Sequence, residues 1–563
     1  MALRALIRHF FERFFDKDSI SKSGDEHANV AQIIAMLALP GAIVALFTLA
    51  DHPFERSQIG TLWLRAGDRY TFVCYSMVVM GFVMTFKWDS IFPDRRDYLI
   101  LTPLPISLRH FFVAKAVSLG IFLLLFVIAI NFFSCILVPW AFAVRNNRLD
   151  MLLPALLAHA AAIFSGAIFT ALLLAAFQGV LINLMTPAAF RRVSSWIQMI
   201  SMMTFVTVLL ITPGISANVR LLVESNTRAL DYIPLFWFLG IYEVLNPEGT
   251  LIPMSYQWAT TGVWATLLVS VLCGVTYLIS YRRYSRKILE GIESDVFTPA
   301  WHQRATASIL NFVLLRHPFQ RASFYFIGRI FGRSSKHRLF IAMYGGIGLA
   351  VTVSSLFVLR RDPELVLGIT RSGLLEAPLI LSFFIVSGLR ATFNIPYELD
   401  ANWVFQITSG SGAAEFLRAT KLWVLLRGIV PAYAAIGALE FYFLEPAEAV
   451  FHLTFGLAIA ALLTEFFFYR FNKLPFTCSY LPPKSQMAFL AAAYVYGFTI
   501  YTFMVAGLER WIGASPQRIV LFFMATVSIL VCVTWYRRHI DRSALEIIYE
   551  DEADPIVRQL NLT

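Results

Sequence analysis

The sequence predicts an all-α polytopic membrane protein: about twelve transmembrane helices, arranged as two parallel six-helix repeats about a pseudo-twofold axis along the membrane normal. Three observations predict it. The chain of 563 residues is 58% hydrophobic and only 15% charged, with a mean hydropathy of +0.66, too apolar for a water-soluble globule. Apolar runs of roughly 18 residues or more, enough to cross about 30 Å of hydrocarbon, recur along its whole length. Short polar motifs recur in the same order in the two halves.

Residues 1–29 open with MALRALIRHFFERFFDK. Leu3, Leu6, Ile7, Phe10, Phe11, Phe14 and Phe15 share one helical face, and Arg4, Arg8, Glu12, Arg13 and Lys17 the other. That pattern predicts an amphipathic helix lying in the membrane interface. No small-residue cleavage site follows the first long apolar run, so no cleavable signal peptide is expected.

Residues 30–280 form the first six-span repeat. Its spans are read at Val30–Ala50, Tyr70–Phe86, Val113–Ala143, Leu152–Leu184, Trp196–Ile211 and Trp258–Ser280. The loop Thr212–Gln257 contains an apolar stretch, Tyr232 to Leu239, too short to span and interrupted by Pro234. It is read as a re-entrant or interfacial hairpin. Residues 281–338 are an Arg-rich linker ending in a second interfacial helix, Arg321–Phe331.

The second repeat, 339–536, places spans at Leu339–Phe357, Leu375–Leu389, Leu422–Phe443, Val450–Phe468, Met487–Val505 and Val520–Trp535. An acidic tail, 537–563, follows. Placing both termini in the cytoplasm puts all nine lysines there, as the positive-inside rule requires; Arg360, Arg361 and Arg371 fall in an outer loop.

The halves carry matching marks. Leu6-Ile7-Arg8-His9-Phe10-Phe11-Glu12-Arg13 aligns with Leu314-Leu315-Arg316-His317-Pro318-Phe319-Gln320-Arg321, an offset of 308, each time ahead of a first span. Ala35-Met36 matches Ala342-Met343, and Gln198-Met199 matches Gln486-Met487. Between the second and third spans of each half lies a polar elbow, Trp88–Lys115 and Asn394–Lys421. Each has Pro, then Asp four residues on (Pro93/Asp97, Pro396/Asp400), then Lys at the mouth of the next run (Lys115, Lys421). An even number of spans per half gives both halves one orientation, hence parallel repeats.

Signals for chemistry are sparse. The sequence has no phosphate loop, since Gly410-Ser411-Gly412 lacks the spacing and the Lys-Ser/Thr ending, and no HExxH or GxSxG. Its five cysteines stand at no metal-ligating spacing. Neither catalysis, nor a cofactor or metal of its own, nor nucleic-acid binding is expected; the +10 formal charge suits anionic membrane lipid. Ionisable residues in spans are costly and therefore informative. Arg427, Glu440 and Glu465 qualify: Arg427 and Glu465 either snorkel to the cytoplasmic interface or pair with each other. His159 and His452 are read as interhelical hydrogen-bond partners.

Interfacial helix, six spans, elbow between spans two and three and re-entrant loop before span six together resemble the permease subunits of type-2 ABC exporters. The resemblance covers nearly the whole chain as architecture. It implies that each elbow carries a coupling helix seated on a separate ABC ATPase subunit, in two copies, which alone binds ATP and Mg. Matched onto this sequence, the coupling residues are Pro93, Asp94, Arg95, Arg96, Asp97, Pro103 and Pro105 through Ser107, leading to Lys115. In the second half they are Pro396, Glu398, Asp400 and Trp403, leading to Lys421. The chain departs from the family in fusing two permease halves and in replacing the Arg95-Arg96 pair by Glu398-Leu399. The implied function is that of the permease, in a bacterial cytoplasmic (inner) membrane. The alternatives are a membrane-embedded enzyme acting on lipid or protein, which clustered acids or histidines in the outer loop would favour, and a secondary carrier.

Overall fold

The computed structural model describes residues 2–14, 39, 41–46, 58–92, 107–145, 147–225, 228–247, 249, 252–289, 301–362, 364–397, 399, 402–408, 413–469, 471, 473–478 and 487–539. The chain divides into two compact units, Met1–Asp295 with Arg361–Val366, and Val296–Arg360 with Leu367–Thr563.

The first unit contains α1 (Ala2–Arg13), α2 (Gln58–Phe86), α3 (Trp88–Ile91), α4 (Leu108–Arg145), α5 (Leu152–Leu184), α6 (Pro187–Ala217), α7 (Val219–Glu224), α8 (Pro234–Leu245) and α9 (Ser255–Leu289). Between lipid-like side chains there is little hydrophobic drive to associate, so small residues and polar contacts hold spans together. On α5, Ala158, Ala162, Gly166 and Thr170 recur every fourth residue and are buried. Ser76 of α2 bonds the Ile163 carbonyl at 2.9 Å, and Asn131 of α4 donates to Ser76 at 2.9 Å. These bonds join α2, α4 and α5.

The second unit contains α10 (Trp301–Val313), α11 (Pro318–Arg333), α12 (Ser335–Leu356), α13 (Arg371–Thr392), α14 (Asn402–Thr408) and α15 (Ala413–Trp423). A π-helical turn (Val424–Ile429) leads into α16 (Val430–Phe443), and α17 (Pro446–Phe467), α18 (Met487–Gly513) and α19 (Pro516–His539) complete it. Phe383 of α13 is its aromatic hub, with Phe467, Phe498 and Tyr501 ring centroids 5.7, 5.3 and 5.5 Å away.

Among the described residues ten helices are long and apolar enough to cross a membrane. Of the twelve expected spans, Met487–Val505 lies within α18 and Val30–Ala50 falls mostly outside the described residues, of which 41–46 are helical. Side chains make the membrane reading stronger than length does. Val263, Trp264, Leu267, Leu268 and Val271 of α9, and Val520, Leu521, Met524 and Val527 of α19, are exposed in continuous stripes. Such stripes are untenable in water and natural in lipid. The protein is an all-α polytopic integral membrane protein.

Four local features depart from expectation. The amphipathic face of α1 is covered by protein: Leu6, Phe10 and Phe14 are buried, the first two against Phe111, Phe112 and Ala114 of α4. A two-stranded hairpin, β1 (Phe357–Asp362) and β2 (Glu364–Ile369), joins α12 to α13. The expected span Leu422–Phe443 contains the π-turn. Pro431 has no N–H and clashes with the carbonyl four residues back, and widening the preceding turn accommodates both defects. Cys478, expected between the spans Val450–Phe468 and Met487–Val505, is buried.

Candidate functional site

The elbows come first, from their roots outward. In the first unit, α2 ends at Phe86 and α3 turns inward. Trp88, wholly buried, donates from Nε1 to Ser194 Oγ of α6 at 2.7 Å, while its carbonyl accepts from Gln178 Nε2 of α5 at 2.9 Å. Phe92 meets the Tyr277 ring of α9 at 5.4 Å. Pro93, Asp94, Arg95, Arg96, Asp97, Pro103 and Pro105 lie outside the described residues. Ser107 is exposed and accepts the His110 N–H at 3.4 Å, at the start of α4. Lys115 is buried, with Nζ 5.0 Å from the Phe10 ring centroid and 4.9 Å from that of Phe14. It is a cation–π anchor for α1.

The second elbow is stitched to the segment after α17. Tyr397 N–H bonds the Phe476 carbonyl at 3.1 Å, Phe476 N–H the Phe393 carbonyl at 3.0 Å, and Asn402 Nδ2 the Thr477 carbonyl at 2.7 Å. Phe476 takes a left-handed backbone, φ 69°, to make this turn. Pro396 is half-buried; Glu398 and Asp400 lie outside the described residues. On α14, Trp403, Val404 and Ile407 are exposed, at 61%, 41% and 75%. Lys421 pairs with Glu465 of α17, not Arg427, which is exposed on the π-turn. Of the two readings of Arg427 and Glu465, the Arg427–Glu465 pair is thus corrected. Lys421 lies one helical turn or more nearer the elbow and reaches the acid first.

The two helices that precede the spans pack alike. α1 sits on α4, with Phe10 edge-on to Phe111 at 5.2 Å and Ser118 Oγ bonded to the Ile7 carbonyl at 2.9 Å. α11 sits on α15: Phe319 meets Phe416 at 5.6 Å, Phe331 stacks on Trp423 at 5.0 Å, and Gln320 bonds Glu415.

Two buried charge clusters were not legible as clusters. In the first unit Arg69 of α2 pairs with Glu243 of α8 at 2.7 Å, and its guanidinium lies 5.2 Å from the Tyr242 ring. Tyr242 OH in turn bonds His159 Nδ1 of α5 at 2.9 Å, so His159 is an interhelical partner. A cavity of about 80 Å³ beside them is lined by Arg65, Asp68, Arg69, Tyr242 and Asn246. In the second unit Glu440 of α16, His452 of α17 and Glu509 of α18 converge: His452 Nδ1 meets Glu509, and Nε2 stands 3.5 Å from Glu440 Oε1. Glu509 was missed because it lies just beyond the apolar run 487–505. Its only sequence signal is an acid within one turn of a span end.

The acids of the 212–257 loop do not converge among the described residues. Glu224 pairs with Arg220 at 2.7 Å, Asp231 accepts from Trp258 Nε1 at 2.7 Å, Glu243 is held by Arg69, and Glu248 lies outside them. No group of three metal-ligating side chains suited to a metal occurs among the described residues. Comparison with protein-family models, with curated proteins and with solved structures found no match to this chain.

Proposed function

We propose that the chain is the transmembrane permease subunit of an ABC-type exporter, built from two six-span repeats related by a pseudo-twofold axis along the membrane normal. It works with ATP and Mg bound by a separate ABC ATPase subunit, in two copies, in a bacterial cytoplasmic membrane with both termini inside. One observation carries the reading: the helices with the matching R-H-x-F-x-R segments, α1 and α11, pack on α4 and α15, the helices that leave the two elbows. Duplicated docking of this kind favours a duplicated transport unit over an enzyme. The separate engagement of Glu224, Asp231 and Glu243 also speaks against a catalytic outer loop.

The mechanism follows from rigidity. Trp88 ties the first elbow's root to α5 and α6, and Asn402 and Tyr397 tie the second to the 471–478 segment. A push on either elbow by an ATPase closing on nucleotide is therefore transmitted to spans instead of being absorbed in a loop. The exposed Trp403, Val404 and Ile407 are the apolar contact offered at the second elbow.

The test is co-purification from gently solubilised membranes. Wild type is expected to retain a soluble ATPase, and Arg95→Glu/Arg96→Glu combined with Trp403→Glu to lose it. Absence of any ATPase from the wild-type preparation, in cells that express candidates, overturns the reading.

A further inference from the structure

We propose that Glu440, His452 and Glu509 form a proton-binding site inside the membrane-spanning bundle of the second unit, holding one exchangeable proton between Glu440 and His452. Geometry carries this. Glu440 and His452 are wholly buried, with side chains 0% and 1% exposed, and Glu509 is 14% exposed. Neither carboxylate oxygen of Glu440 has a hydrogen-bond partner, and neither has His452 Nε2, although Nε2 and Oε1 face each other at 3.5 Å.

A neutral imidazole has one N–H. Donating it from Nδ1 to Glu509 leaves a lone pair on Nε2 aimed at a carboxylate oxygen in a dry setting. One proton removes the repulsion, either on Nε2, as an imidazolium between two carboxylates, or on Glu440, as an acid donating to Nε2. Without it the cluster holds two uncompensated negative charges within apolar helices, which is costly. The proton belongs to the pair, not to either residue alone.

Among the described residues, nothing else on the packed helices supplies the missing positive charge. On α13, Arg371 is bonded to Glu448 of α17 at 2.6 Å, and Glu376 adds a negative charge. The Leu375 carbonyl, which can only accept, also faces the His452 ring. Glu445, at the start of α17, is a further exposed acid. On α18, Arg510 is exposed, and Arg518 at the start of α19 bonds the Trp511 carbonyl at 3.0 Å and lies over its ring. Among the described residues no lysine or arginine pairs with Glu440 or Glu509. The site also continues as hydroxyls: Tyr433 OH, buried, lies against Gly456, one turn along α17 from His452. Ser382 Oγ and Tyr501 OH follow, 3.2 Å apart. Because His452 touches both α16 and α18, the proton decides whether three spans attract or repel at this level.

The test needs no partner protein, so its failure is separate from failure of the permease reading. The purified full chain in lipid nanodiscs is titrated between about pH 5 and pH 8, the window natural to a histidine-linked proton, and followed by infrared difference spectroscopy. Wild type is expected to show a buried carboxylic-acid or imidazolium band that appears with one proton bound. The band should be lost in Glu440→Gln and in His452→Gln, and kept with a displaced midpoint in Glu509→Gln. Size-exclusion profile and tryptophan fluorescence identify folded variants, and either of the first two suffices. An identical titration in wild type and a folded Glu440→Gln or His452→Gln overturns the proposal. So does a wild-type site that gives no such band but whose signal responds to added zinc or calcium, which would make it a metal site.

Discussion

Arg69 and Glu243 are 8% and 0% exposed, so water relieves neither charge once its partner is gone. Arg69→Met should therefore lower stability by roughly 3 kcal/mol, the scale for an orphaned buried charge, and Arg69→Met/Glu243→Met should recover most of it. Thermal unfolding of the detergent-solubilised variants checks this; a single variant as stable as wild type would mean that the pair is dispensable. The same residues mark what the sequence conceals. Arg69 adjoins a readable span, and Glu440 stands out as an acid inside another. The partner of Arg69 lies far along the chain, Glu243 at a separation of 174 residues, whereas Glu440 faces His452 of the next helix. Glu465 was legible as a charge in need of a partner, but two cations lay within reach and only packing chose Lys421. The elbow acids and arginines, 94–97, were legible as part of a motif spaced from Pro93, and they lie outside the described residues.

At the scale of elements, α8 was readable from its length. Twelve residues reach about 18 Å, short of about 30 Å of hydrocarbon. Less visible was its fit against α9. A Cβ added to Gly240 would stand 2.7 Å from Trp258 Cβ and 2.8 Å from the Ser255 carbonyl, too close for either to yield cheaply. Gly240→Ala should force α8 from α9, destabilise by about 1–3 kcal/mol and speed proteolysis between residues 212 and 257. Gly274→Ala on α9, where a Cβ meets nothing, should leave both unchanged. The β1–β2 hairpin escaped the sequence reading because the consecutive apolar residues Phe357, Val358 and Leu359 at a span end look like the span itself. The π-turn escaped because Pro431 signals a defect in the helix without saying how the backbone absorbs it.

At the scale of the molecule, class was the most legible property, since a bilayer forces continuous apolar helices whatever else the chain does. Sidedness is a finer matter, resting on nine lysines. It predicts that, in a background lacking the five native cysteines, Trp403→Cys is labelled from the cytoplasm and Glu445→Cys from outside by an impermeant maleimide. These positions flank the span 415–443, so labelling from one common side would remove it as a crossing, and reversed labelling would invert the protein. The matching segments 6–13 and 314–321 were legible as motifs, while the covering of α1 by α4 depends on side chains such as Lys115 whose role is visible only in three dimensions.

The π-turn at Val424–Ile429 also sets an angular phase. Lys421 and Glu440 both reach toward α17, yet nineteen residues separate them, about 5.3 turns of an ideal helix, which would leave them roughly 100° apart. A π-turn absorbs one residue, leaving the equivalent of eighteen, or about five whole turns, and brings both side chains onto one face. The wide turn thus works as a vernier between a contact near the elbow and a contact near the other end of the same span. Adding or deleting one residue between 421 and 440 would put the two out of step, so the helix could satisfy either α17 contact but not both.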